Sequence, residues 1–565
     1  MLSIRKIGNI GRTYRHLKRY RQILSIFFKY GFEDLIEKLK VSQYIEAGLQ
    51  IVSKARHSLI SKHSQAQRAR MALEELGPAY IKLGQMLSTR PDLLSPDLIN
   101  EFTKLQDNVP SVPFYDVEKT IKAEFADTLD NLFTSFEKTP MASASISQVH
   151  RAKLKNGQEV AVKIQRPGIK KIVETDLEIM LYLATLMERY VEEITLHHPV
   201  RIVEEFAKTL ENGLDFMVET ANMERFTQLF HKDPTLHVPK VYHEMSTTRV
   251  LTMEIINGIK VSEIEKIEKA GLNKKKITQR GADLLLKQMF DHGFFHADPH
   301  PGNIFILPDN VICFIDFGEM GSINLKGREN FVDLIGSVVQ RDEAGATDAI
   351  ITVTENDGDI DYSLLERDIS EFMTRHLYKQ LKDLEIGKLL QNLLEIIHRH
   401  RLRIPADYYL MMKAIVTFEG IGLVLDPDFD MIKQTTPYIK KIKLARFSPK
   451  RITNDILTIS SELLFFTRQF PKDLLKISHL IKEQKQSIKL ELKGIDTAFS
   501  KIDQASNRLS FAIVIAALLI GSSIVIRSET PPQIFGVSLI GIGGFLVAFI
   551  MGFWLLIAIL KKGRL

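Results

Sequence analysis

Cysteine and N-terminal acidic residues are almost absent from this sequence. Cys313 is the single cysteine among 565 residues, so no disulfide bond can form within the chain. It lies in an apolar run, where we expect a small buried side chain. No acidic residue precedes Glu33, whereas eight lysines and arginines do.

The sequence also lacks internal repeats and low-complexity tracts. Hydrophobic residues make up 45% and charged residues 25%, which excludes a disordered or fibrous chain. The length is sufficient for two to three domains. A net charge of +6 is too small to indicate nucleic acid as a partner, and we expect none.

The basic N-terminal segment has two open interpretations. It lacks the continuous apolar core of a secretory signal, although its arginine-rich, acid-free character is typical of a mitochondrial transit peptide. Residues 23–28 supply an apolar face. We therefore weigh a solvated basic helix against a helix that lies on a membrane surface.

Charged residues are missing again from two C-terminal runs, Leu509–Ile526 and 534–560. Each run is long enough to cross a hydrocarbon core of about 30 Å. Prolines interrupt the segment between them, and basic residues flank both outer ends, which the positive-inside rule places in the cytoplasm. We predict a multi-pass protein of the cell (inner or plasma) membrane. Two buried core helices are the less favoured alternative.

The central region carries His296-Ala297-Asp298-Pro299-His300-Pro301-Gly302-Asn303, followed by Asp316-Phe317-Gly318. The spacing is that of the H-x-D-x-x-x-x-N and D-F-G motifs of protein kinases. Asp298 would orient or deprotonate an attacking hydroxyl, while Asn303 and Asp316 would hold Mg²⁺. His300 is expected to pack or to cap the loop rather than to bind a metal.

Lys163 ends the strand-like run Val160-Ala161-Val162-Lys163, and its ammonium would neutralise the α- and β-phosphates of ATP. The loop before it has the G-x-G-x-x-G-x-V frame of a phosphate-covering loop, but with alanine and serine in place of glycine. Such a loop is expected to be stiffer and to hold nucleotide differently. The predicted nucleotide-binding loop consists of Met141, Ala142, Ser143, Ala144, Ser145, Ile146, Ser147, Gln148 and Val149.

A kinase also requires a carboxylate on a helix to orient this lysine. Residues 209–226 are predicted to be strongly helical after Asp215, and Glu219 within them is the best partner for Lys163. Glu224 is a weaker candidate, because its position is more typical of a solvated face.

Residues 76–92 have helical periodicity, with Lys82 and Gln85 one turn apart. This segment has no counterpart in an ordinary kinase. Periodicity alone leaves the two side chains either solvated or functional.

Together these motifs resemble the UbiB family of atypical kinase-like proteins, which occur in bacteria and mitochondria and are required for synthesis of ubiquinone and other isoprenoid quinones. The similarity covers residues 70–445 and includes Lys82-x-Gly84-Gln85, the alanine-rich loop and Asp215. It implies an α+β, two-lobed protein-kinase-like fold. The expected parts are a basic helical region (1–70), the Lys82 helix with an N-lobe (71–256), a C-lobe (257–445), a helical connector (446–507) and a transmembrane hairpin (508–560).

The resemblance also implies roles that the pattern alone does not. Lys82 and Gln85 would lie over the site where a protein kinase binds its peptide, and ATP hydrolysis is implied more readily than protein phosphorylation. The adenine base of ATP would contact the backbone around Glu254 and Ile256.

One departure from the family pattern concerns the partner of Lys82. The family usually has E-x-D where this chain has Gly213-Leu214-Asp215. We expect either that Glu211 replaces the missing glutamate or that the contact of Lys82 is altered.

The favoured hypothesis is a membrane-bound, Mg²⁺- and ATP-dependent ATPase or small-molecule or lipid kinase that supports isoprenoid-quinone synthesis. ATP would drive access to lipid intermediates, and the expected partners are membrane lipids, isoprenoid-quinone intermediates and quinone-synthesis enzymes. A protein kinase, an antibiotic phosphotransferase and a nucleotide-binding scaffold without turnover remain alternatives.

Overall fold

The computed structural model describes residues 14–39, 62–88, 90, 93–105, 110–191, 198–355, 360–377, 386–446, 470, 495–527, 532–534 and 537–561. The chain divides into two units, Met1–Asn454 and Asp455–Leu565. Helices and strands are mixed in the first unit, as the sequence predicts.

The described part of the N-terminal region forms α1 (Tyr14–Lys29), α2 (Glu33–Lys38), α3 (Gln65–Leu76), α4 (Pro78–Ser88) and α5 (Pro96–Phe102). The apolar side of α1 packs against α3 and the later helix α8 (Ile169–Tyr190), where Ile23 and Leu24 are buried. Arg19 forms a two-pronged ion pair with Asp176 of α8, at 2.7 and 2.8 Å.

Over the described residues this packing corrects the interpretation of α1 as a membrane-surface helix, because Ile23, Leu24 and Ile26 of its apolar face are buried inside the protein. Lys18 and Arg21 are exposed, as in a solvated basic helix. The residues before Tyr14 lie outside the described part of the chain.

The N-lobe contains a five-stranded sheet in the order β1 (Phe133–Phe136), β3 (Ser147–Leu154), β4 (Glu159–Gln165), β6 (Val250–Glu254), with β2 (Ala142–Ser143) on β3. Two helices, α6 (Phe114–Phe125) and α7 (Leu129–Leu132), precede it. The antiparallel strands β3 and β4 meet at a tight turn in which Gly157 has a φ of 87°. That backbone conformation favours glycine.

The helix predicted after Asp215 is confirmed, and a separate helix precedes it. Helix α9 (Pro199–Gly213) ends at a glycine, a weak helix former, and α10 (Phe216–Leu229) begins after Asp215. The carboxylate of Asp215 accepts a hydrogen bond from the Met217 N–H at 3.0 Å and so caps α10. Because α10 begins after Asp215, Glu219 lies in its first turn, where its carboxylate reaches Lys163 of β4.

The C-lobe begins with α11 (Ile264–Lys269), α12 (Lys274–Leu286) and a π-helical turn (Lys287–His292). A four-stranded sheet follows the order β5 (Leu236–His237), β10 (Val311–Phe314), β9 (Ile304–Leu307), β7 (Ile259–Lys260). The strands β8 (Phe294–His296) and β11 (Met320–Ser322) pair separately. Cys313 in β10 is fully buried, as the sequence predicts.

The rest of the C-lobe is helical: α13 (Leu325–Gln340), α14 (Glu343–Val353), α15 (Tyr362–Leu377), α16 (Ile386–Arg399), α17 (Ala406–Leu425) and α18 (Met431–Arg446). By length and composition α17 is apolar enough to cross a membrane, but half of it is buried in the lobe. Met411 and Ile415 lie in the C-lobe core, so α17 is a core helix.

The second unit contains the apolar helices α19 (Ile495–Arg527) and α20 (Leu539–Lys561), with the short strands β12 (Gln533–Ile534) and β13 (Val537–Ser538) between them. Leu509–Ile526 within α19 is almost entirely exposed and is long and apolar enough to span a membrane. The two helices pack closely at Gly541, where an added Cβ would lie 2.8 Å from the Ile526 backbone nitrogen. Most of the connector predicted over 446–507 lies outside the described residues.

Candidate active site

Lys163 is at the centre of a buried charge network. It lies on β4 opposite Val149 of β3, and its Nζ is 2.8 and 3.0 Å from the two carboxylate oxygens of Glu219 on α10. Nζ also lies 3.3 Å from Oδ1 of Asp316. Burial acts to lower the pKa of Lys163, but the carboxylates of Asp316 and Glu219 outweigh it and raise that pKa. The structure therefore joins three residues that the sequence assigns to nucleotide binding.

Helix α10 is tied directly to the D-F-G triplet. Glu219 accepts a backbone hydrogen bond from Phe317, and the Asn222 amide donates to the Phe317 carbonyl at 2.9 Å. The Phe317 ring is fully buried, with its centroid 5.2 Å from that of Phe226 on the same helix. This docking holds the lysine–glutamate pair and the D-F-G aspartate in place together, as phosphoryl transfer in kinases requires.

Asp316 has a left-handed backbone with a φ of 61°. Non-glycine residues in this region are strained, and such strain concentrates at functional sites. The conformation presents its half-exposed carboxylate to Lys163. The ammonium of Lys163 holds the pKa of Asp316 well below its usual range, with a further contribution from Lys82. Asp316 is therefore ionised at neutral pH.

Asp316 and Asn303 are suitable ligands for Mg²⁺. The Asn303 side chain is buried, and its amide nitrogen donates to the Asp298 carbonyl at 3.3 Å, which fixes its orientation. An ionised carboxylate and an amide oxygen match the preference of Mg²⁺ for a few protein oxygens together with substrate phosphates. Among the described residues there is no cluster of three or more His, Cys, Asp or Glu that would hold a metal alone.

The catalytic loop is organised by its two histidines. His296 is buried, and its Nδ1 accepts from the Asp298 N–H at 3.3 Å while Nε2 donates to the Ile315 carbonyl at 3.1 Å. Burial lowers the pKa of His296, so the ring is neutral. His300 accepts from the Gly302 N–H at 2.9 Å. His300 thus caps the loop, as expected.

Asp298 has a partner that the sequence does not predict. Nζ of Lys413, on α17, lies 2.9 Å from Oδ1 of Asp298. Burial acts to raise the pKa of Asp298, but the Lys413 ammonium outweighs it and the pKa lies below its ordinary value. No sequence motif marks Lys413, because it lies in an apolar helix more than a hundred residues further along the chain.

The alanine-rich loop is held by an arginine that was also not predicted. Arg166 donates through Nε to the Ala144 carbonyl and through Nη2 to the Ser143 hydroxyl, both at 2.8 Å. The buried Gln148 side chain accepts from the Val112 N–H at 2.8 Å, which ties the loop to the segment before α6. The remaining loop positions predicted for nucleotide binding lie next to one another: Met141 directly precedes β2, and Ala142, Ser145, Ile146, Ser147 and Val149 lie in β2, β3 and the turn between them.

Lys82 pairs with a carboxylate beside the D-F-G triplet. Its Nζ lies 3.1 Å from Oε1 of Glu319, one residue after Gly318. Glu319 is thus a partner of Lys82 that the sequence does not predict. The clue available in the sequence was a carboxylate directly following D-F-G.

Gln85 and Gly84 hold α4 against its neighbours. The Gln85 amide donates to the Leu105 carbonyl at 3.2 Å, so its side chain serves the packing of the extension. A Cβ at Gly84 would lie 2.3 Å from Leu105 Cδ1 and 2.7 Å from Leu73 Cδ1. The glycine lets the helix and its neighbouring segment approach closely.

The predicted adenine-binding segment follows β6. Glu254 ends that strand, and its carboxylate contacts His237 Nε2 at 3.0 Å and the Lys240 N–H at 3.1 Å. These contacts fix the segment that leads to Ile256 and connects the two lobes. A role for Glu254 and Ile256 in nucleotide binding remains a prediction.

Comparison with known proteins agrees with this arrangement. Residues 104–350 match the ABC1 atypical kinase-like domain, 369–430 the UbiB helical domain and 493–561 the ABC1/UbiB kinase-like C-terminal domain. The "Probable protein kinase UbiB" of Aeromonas hydrophila is 32% identical over 504 residues, which cover 88% of this chain and 90% of the relative. This chain belongs to the ABC1/UbiB family of atypical kinase-like proteins.

Two further similar proteins match different shares of this chain. An "Uncharacterized protein in hydrogenase 1 5'region" of Clostridium pasteurianum is 33% identical over 531 residues, covering 94% of this chain and 99% of that protein. A solved structure of the Rv3197–erythromycin complex from Mycobacterium tuberculosis has a TM-score of 0.45 and 25% identity, covering 58% of this chain and 83% of that one. Family membership and the kinase-like, mixed helix and sheet fold confirm the resemblance inferred from the motifs.

Proposed function

We propose that this ABC1/UbiB protein binds Mg²⁺ and ATP and uses them as a membrane-associated ATPase or small-molecule or lipid kinase that supports isoprenoid-quinone synthesis. The observation that carries the proposal is the network in which Lys163 contacts both Glu219 and Asp316. Phosphoryl transfer depends on such a lysine–glutamate pair and on the D-F-G aspartate. Their assembly favours turnover over a nucleotide-binding scaffold.

The bound metal would supply charge neutralisation between the β- and γ-phosphates. Asp316 and Asn303 would hold it, Lys163 would contact the α- and β-phosphates, and the alanine-rich loop would cover them. Asp298 would orient the attacking water or hydroxyl.

The contact between Lys82 and Glu319 favours a small acceptor over a protein substrate. It joins α4 to the residue that follows D-F-G, at 3.1 Å. In a protein kinase the segment after D-F-G leads into the region that receives a peptide. A helix held there restricts access for an extended chain.

The apolar pair α19 and α20 supports a membrane location. We propose a transmembrane hairpin whose ends, with the kinase-like domain, lie on the cytoplasmic side. Membrane lipids and isoprenoid-quinone intermediates would then be the partners, together with quinone-synthesis enzymes.

Nucleotide turnover by the purified full-length protein tests the function. We expect Mg²⁺-dependent ADP release that rises with anionic lipid and with phenol-like quinone precursors. Asp298→Asn is the matched control for contaminating ATPases. Turnover that is equal in the parent and in this variant would reject the proposal.

Cysteine labelling tests the proposed topology. Cys313 is the single native cysteine and is buried, so a Ser528→Cys variant presents one accessible thiol. Position 528 lies outside the described residues. We expect an impermeant reagent to label it from outside the cytoplasm, and labelling only after lysis would contradict the hairpin.

A further inference from the structure

Lys413 brings a positive charge to the catalytic loop from outside the kinase motifs. Its Nζ lies 2.9 Å from Oδ1 of Asp298, and His300 Nε2 lies 3.9 Å from the other carboxylate oxygen. The Lys413 and Asp298 side chains are 23% and 31% exposed, so a bound ligand can reach the pair. The loop 296–303 itself contains neither lysine nor arginine.

The helix that carries Lys413 is fixed against the site. At the contact of α17 with α12, a Cβ at Gly281 would lie 2.4 Å from Phe418 Cζ. Helix α17 also packs on β11, which follows the D-F-G triplet and pairs with β8, the strand that leads into the catalytic loop. Lys413 is the one lysine of α17. Since a partly exposed ion pair adds little stability, its place in an apolar helix indicates a functional role.

We propose that Lys413 is a further catalytic residue whose ammonium moves from Asp298 to the γ-phosphoryl group of ATP and neutralises its charge during transfer. This inference rests on the proposed use of ATP. The bond between Pγ and the bridging oxygen breaks, and its electron pair stays on ADP. A bond forms between Pγ and the oxygen of water or of an acceptor hydroxyl, whose proton passes to Asp298.

The geometry allows this exchange. Lys413 contacts one oxygen of Asp298 in a partly exposed pair, so its ammonium can leave the carboxylate for a phosphoryl oxygen that enters the site. A positive donor placed at developing charge accounts for about 10²–10³-fold in rate.

Binding measurements separate a phosphate contact from a positioning role. In Lys413→Met we expect the affinity for Mg-ADP to stay within about twofold, whereas a non-hydrolysable Mg-ATP analogue binds about tenfold more weakly and turnover falls about 10²-fold. Lys413→Arg should recover part of both losses. Lys441→Met is the matched control, because Lys441 pairs with Asp291 at 2.8 Å outside the motifs.

The ratio of the two affinities decides the outcome. A selective loss for the ATP analogue, with the thermal midpoint of Lys413→Met close to that of the parent, supports the proposal. An equal loss for both nucleotides, or an unchanged ratio, overturns it and leaves Lys413 as a positioning residue. The affinities are measured without turnover, so their ratio decides this proposal even if the parent does not hydrolyse ATP. A parent that binds the analogue but does not hydrolyse ATP would overturn the proposed function alone.

Discussion

The two lysines of the site are held in different ways. Lys163 contacts two carboxylates, and its partner Glu219 is 5% exposed. Lys413 contacts one carboxylate, and its partner Asp298 is 31% exposed. Lys163 is held by several contacts, one of them to a buried carboxylate, so we expect it to keep its position. The single, partly exposed pair of Lys413 can be exchanged for a ligand. If the site binds ATP as proposed, its nucleotide side is fixed before binding and its acceptor side is adjustable.

The largest expected effect comes from replacing Asp316, whose carboxylate we propose as a ligand of Mg²⁺. Asp316→Asn keeps the shape of the side chain but loses the carboxylate, so we expect Mg²⁺-dependent nucleotide turnover to fall by about 10³-fold or more. Steady-state ADP release and nucleotide affinity with and without Mg²⁺ measure this. Asp333→Asn, which alters an aspartate paired with Arg446 in the C-lobe, is the control. Unchanged Mg-ATP affinity in Asp316→Asn would reject the assignment.

The comparison of the two lysines predicts unequal losses of stability. Lys163→Met leaves Glu219 buried without its cationic partner and should lower the free energy of unfolding by about 3–5 kcal/mol. Lys413→Met removes a partly exposed pair and should cost less than about 1 kcal/mol. Thermal midpoints of the full-length protein in one detergent measure both. Equal shifts would show that the two pairs are held alike.

The third prediction concerns the loop over the fixed side. Ala144 donates its N–H to the Ser147 carbonyl, and its own carbonyl accepts from Arg166, both at 2.8 Å. Ala144→Gly frees this backbone, and we expect the ratio of ATP to ADP affinity to change several-fold, about 3–10-fold. Ala270→Gly at the end of α11 is the control. Ala142→Gly should act in the same direction, and identical ratios in all variants would exclude the loop as a phosphate cover.

The smallest expected effect concerns Lys82 and Glu319, a partly exposed pair. Its coupling energy in a double-mutant cycle of Lys82→Met and Glu319→Gln should be below about 1 kcal/mol. If the pair restricts access to the site, phosphorylation of a general protein acceptor should be slightly higher in each variant than in the parent. The increase should be the same in the two single variants and in the double variant. Additive effects of the two changes would show that they act independently.

Motif spacing predicted the fixed side of the site and the kinase-like fold. Lys163, Glu219 and Asp316 follow patterns with defined spacing, and the structure brings them together. Spacing did not reveal Lys413, Glu319 or Arg166. Lys413 comes from a distant helix, so only tertiary packing brings it to Asp298, and Glu319 pairs with a residue 237 positions away.

The N-terminal helix shows a second limit of sequence patterns. A basic helix with an apolar face satisfies the same periodicity whether that face meets lipid or protein. In α1 the deciding contact is the ion pair of Arg19 with Asp176, which no local signal encodes. The helix predicted after Asp215 is confirmed, whereas the cap that Asp215 itself supplies to that helix was not predicted.

The same Arg19–Asp176 contact has a consequence for synthesis of the protein on the ribosome. The two residues are 157 positions apart, so α1 leaves the exit tunnel long before α8 exists. At about 5–20 residues per second, the part of the apolar face of α1 that packs on α8 stays uncovered for roughly 8–30 s. During that interval we expect this positively charged helix to bind holding chaperones or, transiently, anionic lipid. Ribosome-bound chains stalled before residue 169 should still bind them, and chains released at full length should not.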